Sequence, residues 1–346
     1  MTVLKFCFSF SVLSLFLACS ETDLSKNFSL EIEGNAKKLQ QGQTVGVQLK
    51  NRANLPIDSI VYVLDGSPVT LEAGGLTLNS PVLGTKNLQA KIFSEGRNVT
   101  VSRELLVLAE SRPALYTYEI VNTFPHDPKA FTQGLEFYRD TLYESTGRRG
   151  TSSLRKVNYQ TGEVLQKTDL EDQYFGEGLT VLNDTIFMLT WQAGTGFMYD
   201  RKTLQKLGSF QYGESKEGWG LTNDGKRIFK SDGTQRIWIL DPATLKETGY
   251  LETVTDKSVF NKANELEYVG GKLYANVWQK ESMMIIDAES GAIEGVVNFG
   301  GLKEKVGQHP DLDVFNGVAY HPQRQTFFVT GKNWDTLFEV RISKKN

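Results

Sequence analysis

One glutamate, one lysine, two asparagines and three tryptophans stand at matched places in a repeating pattern, and these are the side chains that can do chemistry. Five related phrases run along the chain: Phe131-Thr132-Gln133-Gly134-Leu135, Phe175-Gly176-Glu177-Gly178-Leu179, Glu217-Gly218-Trp219-Gly220-Leu221, Ala263-Asn264-Glu265-Leu266 and Phe315-Asn316-Gly317-Val318. Aligned on Gly134, Gly178, Gly220, Glu265 and Gly317, the preceding position holds Gln133, Glu177, Trp219, Asn264 and Asn316. A purely structural repeat puts like residues at like places; a different polar or aromatic group in each copy points to a site assembled around one axis. A second ring lies four residues beyond Tyr143, Phe187, Phe229, Tyr274 and Phe328, and holds Gly147, Trp191, Gly233, Trp278 and Lys332. A carboxylate, an ammonium and carboxamides among indole rings suit proton transfer and the holding of developing charge. A lone tryptophan in a β protein reads as core, as Trp238 does inside Ile237–Leu240. Trp191, Trp219 and Trp278, at matched positions beside non-repeating polar groups, read as a site. Trp334, two residues beyond Lys332, fits either role.

The elements that must position these groups follow from the spacing. The alignment points are 44, 42, 45 and 52 residues apart. A period near ~45 residues carried by strand-like segments is the mark of a β-propeller with four strands per blade. The phrases are the inner strands, where crowding about the axis calls for small residues such as Gly134, Gly178, Gly220 and Gly317. Turns are expected at Asn158–Gly162, Asp200, Asp241-Pro242 and Asp287–Gly291. The last repeat runs out of chain after its third strand, so Leu115–Thr123, which precedes the first phrase, is expected to supply the missing outer strand and cover the open edges. The expected architecture is all-β: a five-bladed propeller over 114–346, with Ser111-Arg112-Pro113 as a hinge. The longer fifth gap, Gly300–Val314, is expected to overhang the pocket.

Ahead of the propeller, residues 28–110 show short alternating segments separated by Gly, Asn and Pro, as in a small immunoglobulin-like β-sandwich. No catalytic cluster appears there, and a spacer or docking role is expected. Residues 20–27 read as a polar tether. Residues 1–19 combine Lys5, the apolar run Phe6–Leu17 and Leu17-Ala18-Cys19, the pattern of a lipoprotein signal in which Cys19 is lipidated. This places the protein in the bacterial cell envelope, held to a membrane by its lipid anchor on the periplasmic or outer-membrane side. Cys7, inside the leader, is the sole other cysteine, so no disulfide is expected in the mature chain. With 38 basic and 41 acidic residues intermixed and a net charge of −3, no basic stripe suggests nucleic acid.

The ordered phrases resemble those of the glutaminyl-peptide cyclotransferases of plant and bacterial type, also called glutamine cyclotransferases. Besides the first four repeats quoted above, the similarity is carried by Leu189-Thr190-Trp191, Glu267-Tyr268, Asn276-Val277-Trp278 and the run Val329 to Glu339, across about 120–340 and not over 20–112. The resemblance implies a five-bladed propeller that turns an N-terminal glutamine into pyroglutamate with loss of ammonia, with peptides or proteins as partners and no cofactor. It also implies Glu177 as acid/base carboxylate, Asn264 and Lys332 as its polar partners, and Phe131, Gln133, Trp191, Trp219 and Trp278 as substrate pocket; Asn316, at the matching place in the fifth repeat, is expected to join that pocket.

That chemistry suits the residues. The amine attacks an amide carbon of its own residue, so much of the entropic barrier is absent. One carboxylate between the two nitrogens can move both protons. Two alternatives share the same groups: a calcium-dependent lactonase-type hydrolase, with Glu177, Asn264 and Asn316 as oxygen ligands, and a non-catalytic propeller that binds peptide termini. Lys332 and the tryptophans crowd any cation there. His126, His309 and His321 lack metal-ligand spacing, and no metal is expected.

Overall fold

The computed structural model describes residues 24–94 and 96–345; the predicted leader, Cys19 and residues 20–23 lie outside the described residues. Among the described residues, no helix is long and apolar enough to cross a membrane.

From residue 114 onward the chain is built of strands in quartets. Three four-stranded antiparallel sheets run in chain order from Thr132–Tyr138, Gly176–Leu182 and Leu221–Asn223. Their turns are set by short polar side chains. Asp200 Oδ1 accepts from Thr203 N (2.7 Å), Asp241 Oδ1 from Thr244 N (2.8 Å) and Asp287 Oδ1 from Ser290 N (2.8 Å), at the expected turns. An eight-stranded sheet joins two more quartets: Ala263–Val269, Lys272–Val277, Ser282–Asp287 and Ile293–Asn298, then Ala114–Pro125, Thr336–Lys344, Thr326–Gly331 and Phe315–His321. As expected, the N-terminal strand closes the last quartet; it runs antiparallel to Thr336–Lys344 from Tyr116↔Lys344 to Pro125↔Thr336. It also pairs in parallel with Ile293–Asn298 at Leu115↔Val296, which the repeat pattern did not foretell.

The leading strands of successive quartets pack on one another, and Thr132–Tyr138 touches both Gly176–Leu182 and Phe315–His321, so they form a closed ring. The fold is all-β and propeller-like. Crowding explains the glycines: a Cβ on Gly134 would meet Leu179 N at 2.7 Å, and one on Gly178 would meet Leu221 N at 2.6 Å. Glu265 takes the glycine position in the fourth repeat. Its buried carboxylate reaches across the centre of the ring to Leu135 N (3.2 Å) and Val318 N (2.8 Å).

Residues 24–108 form two sheets over one core. One orders Phe28–Ile32, Thr44–Asn51 and Gly75–Thr77; the other orders Lys38–Gln40, Arg97–Leu108, Gly84–Ser94, Ser59–Leu64 and Ser67–Val69. Alternate residues such as Leu88, Ala90 and Ile92 point into that core and are fully buried. Two expectations are corrected here. Leu24–Asn27 is a 3-10 helix whose Asn27 carbonyl accepts from Arg52 N (2.8 Å), so this part of the tether is bound to the sheets. Ser111-Arg112-Pro113 does not act as a free hinge, because Leu83 N donates to Ser290 O (2.9 Å), Ala109 N to Thr255 O (3.1 Å) and Thr85 N to Glu252 Oε2 (2.6 Å). Val254, from the ring, is buried in the core of these sheets.

Candidate active site

The inner strands are irregular at the candidate site positions. Their antiparallel registers slip between Thr132 and Gly134, Gly176 and Leu179, Ala263 and Leu266, and Phe315 and Val318. Gln133, Glu177, Asn264 and Asn316 each fall inside such a bulge, which breaks the alternation and re-aims the side chain. The third copy departs from the others: Glu217-Gly218-Trp219-Gly220 lies ahead of Leu221–Asn223, and the loop is held by Gly218 N on Trp191 O (2.9 Å) and Trp219 N on Ser231 O (3.0 Å).

These features frame a cavity of about 160 Å³. Buried Gln133, Glu177, Asn264 and Lys332 make its floor, and half-buried Phe131, Phe175, Trp191, Trp219 and Trp278 its walls. Phe175 stacks edge-on to Trp191 (5.5 Å between centroids), and Trp219 edge-on to Trp278 (5.7 Å). Burial pushes the Glu177 carboxyl well above the usual carboxylate range; the Lys332 charge pulls it down, and Glu217 pushes it up. Burial likewise lowers the Lys332 pKa, opposed by the charges of Glu177 and Asp313. The ammonium of Lys332 lies 4.8 Å from the Phe131 ring centroid, with the Arg148 guanidinium 4.4 Å from the same centroid.

The predicted groups are brought together, with one exception. Asn316 does not line the cavity; it is fully buried behind it. Its Oδ1 accepts from Asn264 Nδ2 (2.9 Å), and its Nδ2 donates to Thr132 O (3.0 Å) and Gln133 Oε1 (3.4 Å). Gln133 Nε2 in turn donates to Glu177 Oε1 (3.1 Å). The bulge turns Asn316 against its neighbours, where its amide is consumed by this chain of hydrogen bonds.

Phe175, Glu217 and Arg148 were not among the predicted site residues. Glu217 Oε2 accepts both indole N–H groups, from Trp191 (2.7 Å) and Trp219 (2.8 Å), and Oε1 accepts from Gln192 (3.1 Å). Burial raises its pKa, but these three donors outweigh that and hold it below the usual range. A signal for two of them existed: Phe131, Phe175 and Glu217 share the position two residues before the site position. The loop 300–314 does not overhang the pocket. Its Leu302, Val306 and Leu312 fold against Phe299, Phe315 and Trp334, so its apolar side chains are spent on the core. It supports Lys332 from behind, Asp313 N donating to Lys332 O (3.1 Å). Trp334 is a core residue, fully buried, with its indole N–H on Asp313 O (3.1 Å). Trp238 is buried as expected. His126 is a loop residue yet buried, bridging Glu144 (3.0 Å) and Trp334 O (2.8 Å). Among the described residues, no three His, Cys, Asp or Glu gather in a way that could hold a metal ion.

A closed ring of strand quartets that carries a buried carboxylate in an aromatic cavity, on its bulged inner strands, defines a propeller-like protein with an enzyme-type site. Residues 97–342 match the family described as glutamine cyclotransferase, and the chain belongs to that family. The glutaminyl-peptide cyclotransferase of Arabidopsis thaliana is 41% identical over 236 residues, 65% of this chain and 71% of that relative. The crystal structure of Myxococcus xanthus glutaminyl cyclase is similar with a TM-score of 0.63 at 30% identity, over 68% of this chain and 100% of the other. The family match begins inside Arg97–Leu108, earlier than the quoted phrases.

Proposed function

We propose that this protein converts the N-terminal glutamine of peptides or proteins into pyroglutamate with release of ammonia, and that Glu177 carries the protons. Family membership supports the reaction. The observation that carries the residue assignment is Glu177 buried at the floor of an aromatic cavity, with Lys332 and Asn264 on the same floor.

In this reading the substrate's α-ammonium enters between the aromatic walls and gives a proton to the Glu177 carboxylate. The freed amine attacks the side-chain amide carbon, forming the ring C–N bond and placing negative charge on the former amide oxygen. Lys332 and the carboxamide of Asn264 donate to that oxygen. Glu177 passes its proton to the departing nitrogen and takes one from the ring nitrogen. The old C–N bond breaks, the carbonyl re-forms, and ammonia takes the proton left on Glu177 and departs as ammonium, which restores the carboxylate. A carboxyl whose pKa is raised by burial is suited to holding the proton between these steps. Asn316 Oδ1 is already committed to Asn264, and Lys332 adds a cation to the same floor; neither feature favours a calcium-ligand set built on Glu177, Asn264 and Asn316.

We read the architecture as a five-bladed propeller over 114–346, preceded by an immunoglobulin-like sandwich over 28–110. The closed ring of five inner strands and the two sheets over one core support it. We also propose that Cys19 is lipidated and holds the protein at the cell envelope, on the strength of Leu17-Ala18-Cys19 after an apolar run. The experiment is ammonia release from a Gln-initiated dipeptide by the wild type and by Glu177→Gln. Turnover by the first and its loss in the second supports the proposal. Equal turnover removes Glu177 from the chemistry, and no turnover by either overturns the activity.

A further inference from the structure

The segment 253–262 leaves the third quartet and is gripped on one side by the N-terminal sheets. Gln40 Nε2 donates to Asp256 O (2.8 Å), Lys38 Nζ to Lys257 O (3.2 Å) and Ala109 N to Thr255 O (3.1 Å). Its other side faces the fourth quartet across an open groove of about 640 Å³. The groove is mainly apolar. Phe260, 45% exposed, stands on the segment; Val277, Met284 and Val296 stand on the sheet, where Met284 and Val296 are register partners. Trp278 lines both this groove and the candidate cavity, so one indole separates them. Arg112, Lys257, Lys262 and Lys280 line the groove against a single acidic side chain, Asp256.

Resting on the cyclotransferase reading, we infer that this groove takes the residues that follow the N-terminal glutamine of a polypeptide substrate, and that it selects apolar side chains flanked by carboxylates. A chain whose first residue lies against Trp278 must leave over the aromatic rim. Extended at about 3.3 Å per residue, its third to fifth residues pass an indole's width and reach the groove. The floor there offers aliphatic and aromatic surface, and the excess of cations sets the charge of the partner. A second groove meets the rim at Glu217, whose carboxylate holds the Trp191 and Trp219 indoles; it is lined also by Glu214, Asp232, Lys216 and Arg236, and offers no aliphatic floor. The N-terminal sheets thereby gain a role: they hold the far wall of a substrate groove beside the site.

The test compares kcat/KM for Gln-Ala amide, Gln-Ala-Ala-Leu-Phe-Glu-Glu and Gln-Ala-Ala-Ser-Ser-Lys-Lys. The wild type is expected to prefer the apolar, acidic heptapeptide over the other by roughly tenfold. Phe260→Ala brings the two near parity, and Lys280→Glu cuts the preference about threefold. Both variants leave the dipeptide value and the melting temperature near wild type, because the dipeptide does not reach the groove. Equal use of the two heptapeptides by the wild type overturns the inference, as does a preference that survives both variants. So does a concentration-dependent dimer, seen by light scattering and abolished by Phe260→Ala, which would make the groove an interface between copies. Failure to cyclise even the dipeptide removes the activity reading, and this inference with it.

Discussion

Gln133 donates its side-chain amide to Glu177 Oε1 at 3.1 Å, and that orientation is imposed from outside the cavity. Asn264 donates to Asn316 Oδ1, and Asn316 donates to Gln133 Oε1, so the side-chain N–H group of Gln133 has one direction left. A donor fixed on the carboxylate favours its charged form. Asn316 touches no cavity surface, yet Asn316→Ala is expected to lower kcat about tenfold with KM little changed. It should also move the acid limb of kcat/KM to higher pH, because Glu177 loses a fixed donor. A drop in melting temperature with no movement of that limb reduces Asn316 to a packing residue.

Glu217 acts on the same carboxylate with the opposite sign. Its charge raises the Glu177 pKa, while its Oε2 ties together the indoles of Trp191 and Trp219. Glu217→Gln removes the charge and keeps one acceptor oxygen. The expected outcome is an acid limb shifted to lower pH, with KM up about threefold to tenfold as one indole loses a charge-assisted partner. Steady-state kinetics across pH, with tryptophan emission as a monitor of the two rings, checks both parts. A limb that moves upward contradicts the assigned coupling.

How far the sequence reached can be judged from these residues. The repeat put Gln133, Glu177, Trp219 and Asn264 at one level of the ring, because periodicity fixes which strand leads each quartet and where it starts. It also identified the closing strand, since an unpaired fourth strand had to come from somewhere. Asn316 occupies the same repeat position as Asn264 and yet points into neighbouring backbone and side chains. That difference comes from local bulge geometry, and no pattern of residue types encodes it. Glu217 stood inside a quoted phrase, but its role depends on two indoles 26 residues and 2 residues away meeting one oxygen. The loop 300–314 and the attachment of the N-terminal sheets are likewise matters of long-range packing, settled by where Leu302, Val306 and Val254 find apolar partners.

In the proposed reaction the pH dependence of turnover is set by the two buried groups Glu177 and Lys332. Glu177 is raised by burial and restrained by Lys332. The acid limb of kcat/KM is therefore expected well above the ordinary carboxylate range, and Glu177→Gln should remove that limb along with a factor of about 10²–10⁴ in rate. Lys332→Met removes the restraint and, in the proposed reaction, a donor to the developing oxyanion. Its limb should move further upward, with kcat down by about 10²–10³. Loss of rate without movement of the limb would place Lys332 away from the carboxylate's field.

The centre of the ring stores a separate pH dependence, in stability. Glu136 on the first inner strand and Glu265 and Glu267 on the fourth are shielded toward the axis, with Glu136 accepting from Thr180 Oγ1 (2.6 Å) and Val181 N (3.0 Å), and Glu267 from Tyr320 N (2.8 Å). Burial raises the Glu136 pKa to about 7, and Glu267 is raised by burial and by the Glu136 charge. A carboxyl whose folded pKa lies above its unfolded value stabilises the fold fully below the unfolded pKa, and that contribution is lost as pH rises through the folded one. For Glu136 the window runs from about 4.5 to about 7, and the loss is on the order of 3 kcal/mol. The melting temperature of the wild type should therefore fall across this window by several degrees relative to Glu136→Gln, which keeps an acceptor for Val181 and cannot ionise. The two proteins should melt together near pH 4.5, and the variant should melt higher at pH 8. Parallel melting curves from pH 4.5 to 8 would mean that Glu136 ionises in the folded ring as freely as in the unfolded chain.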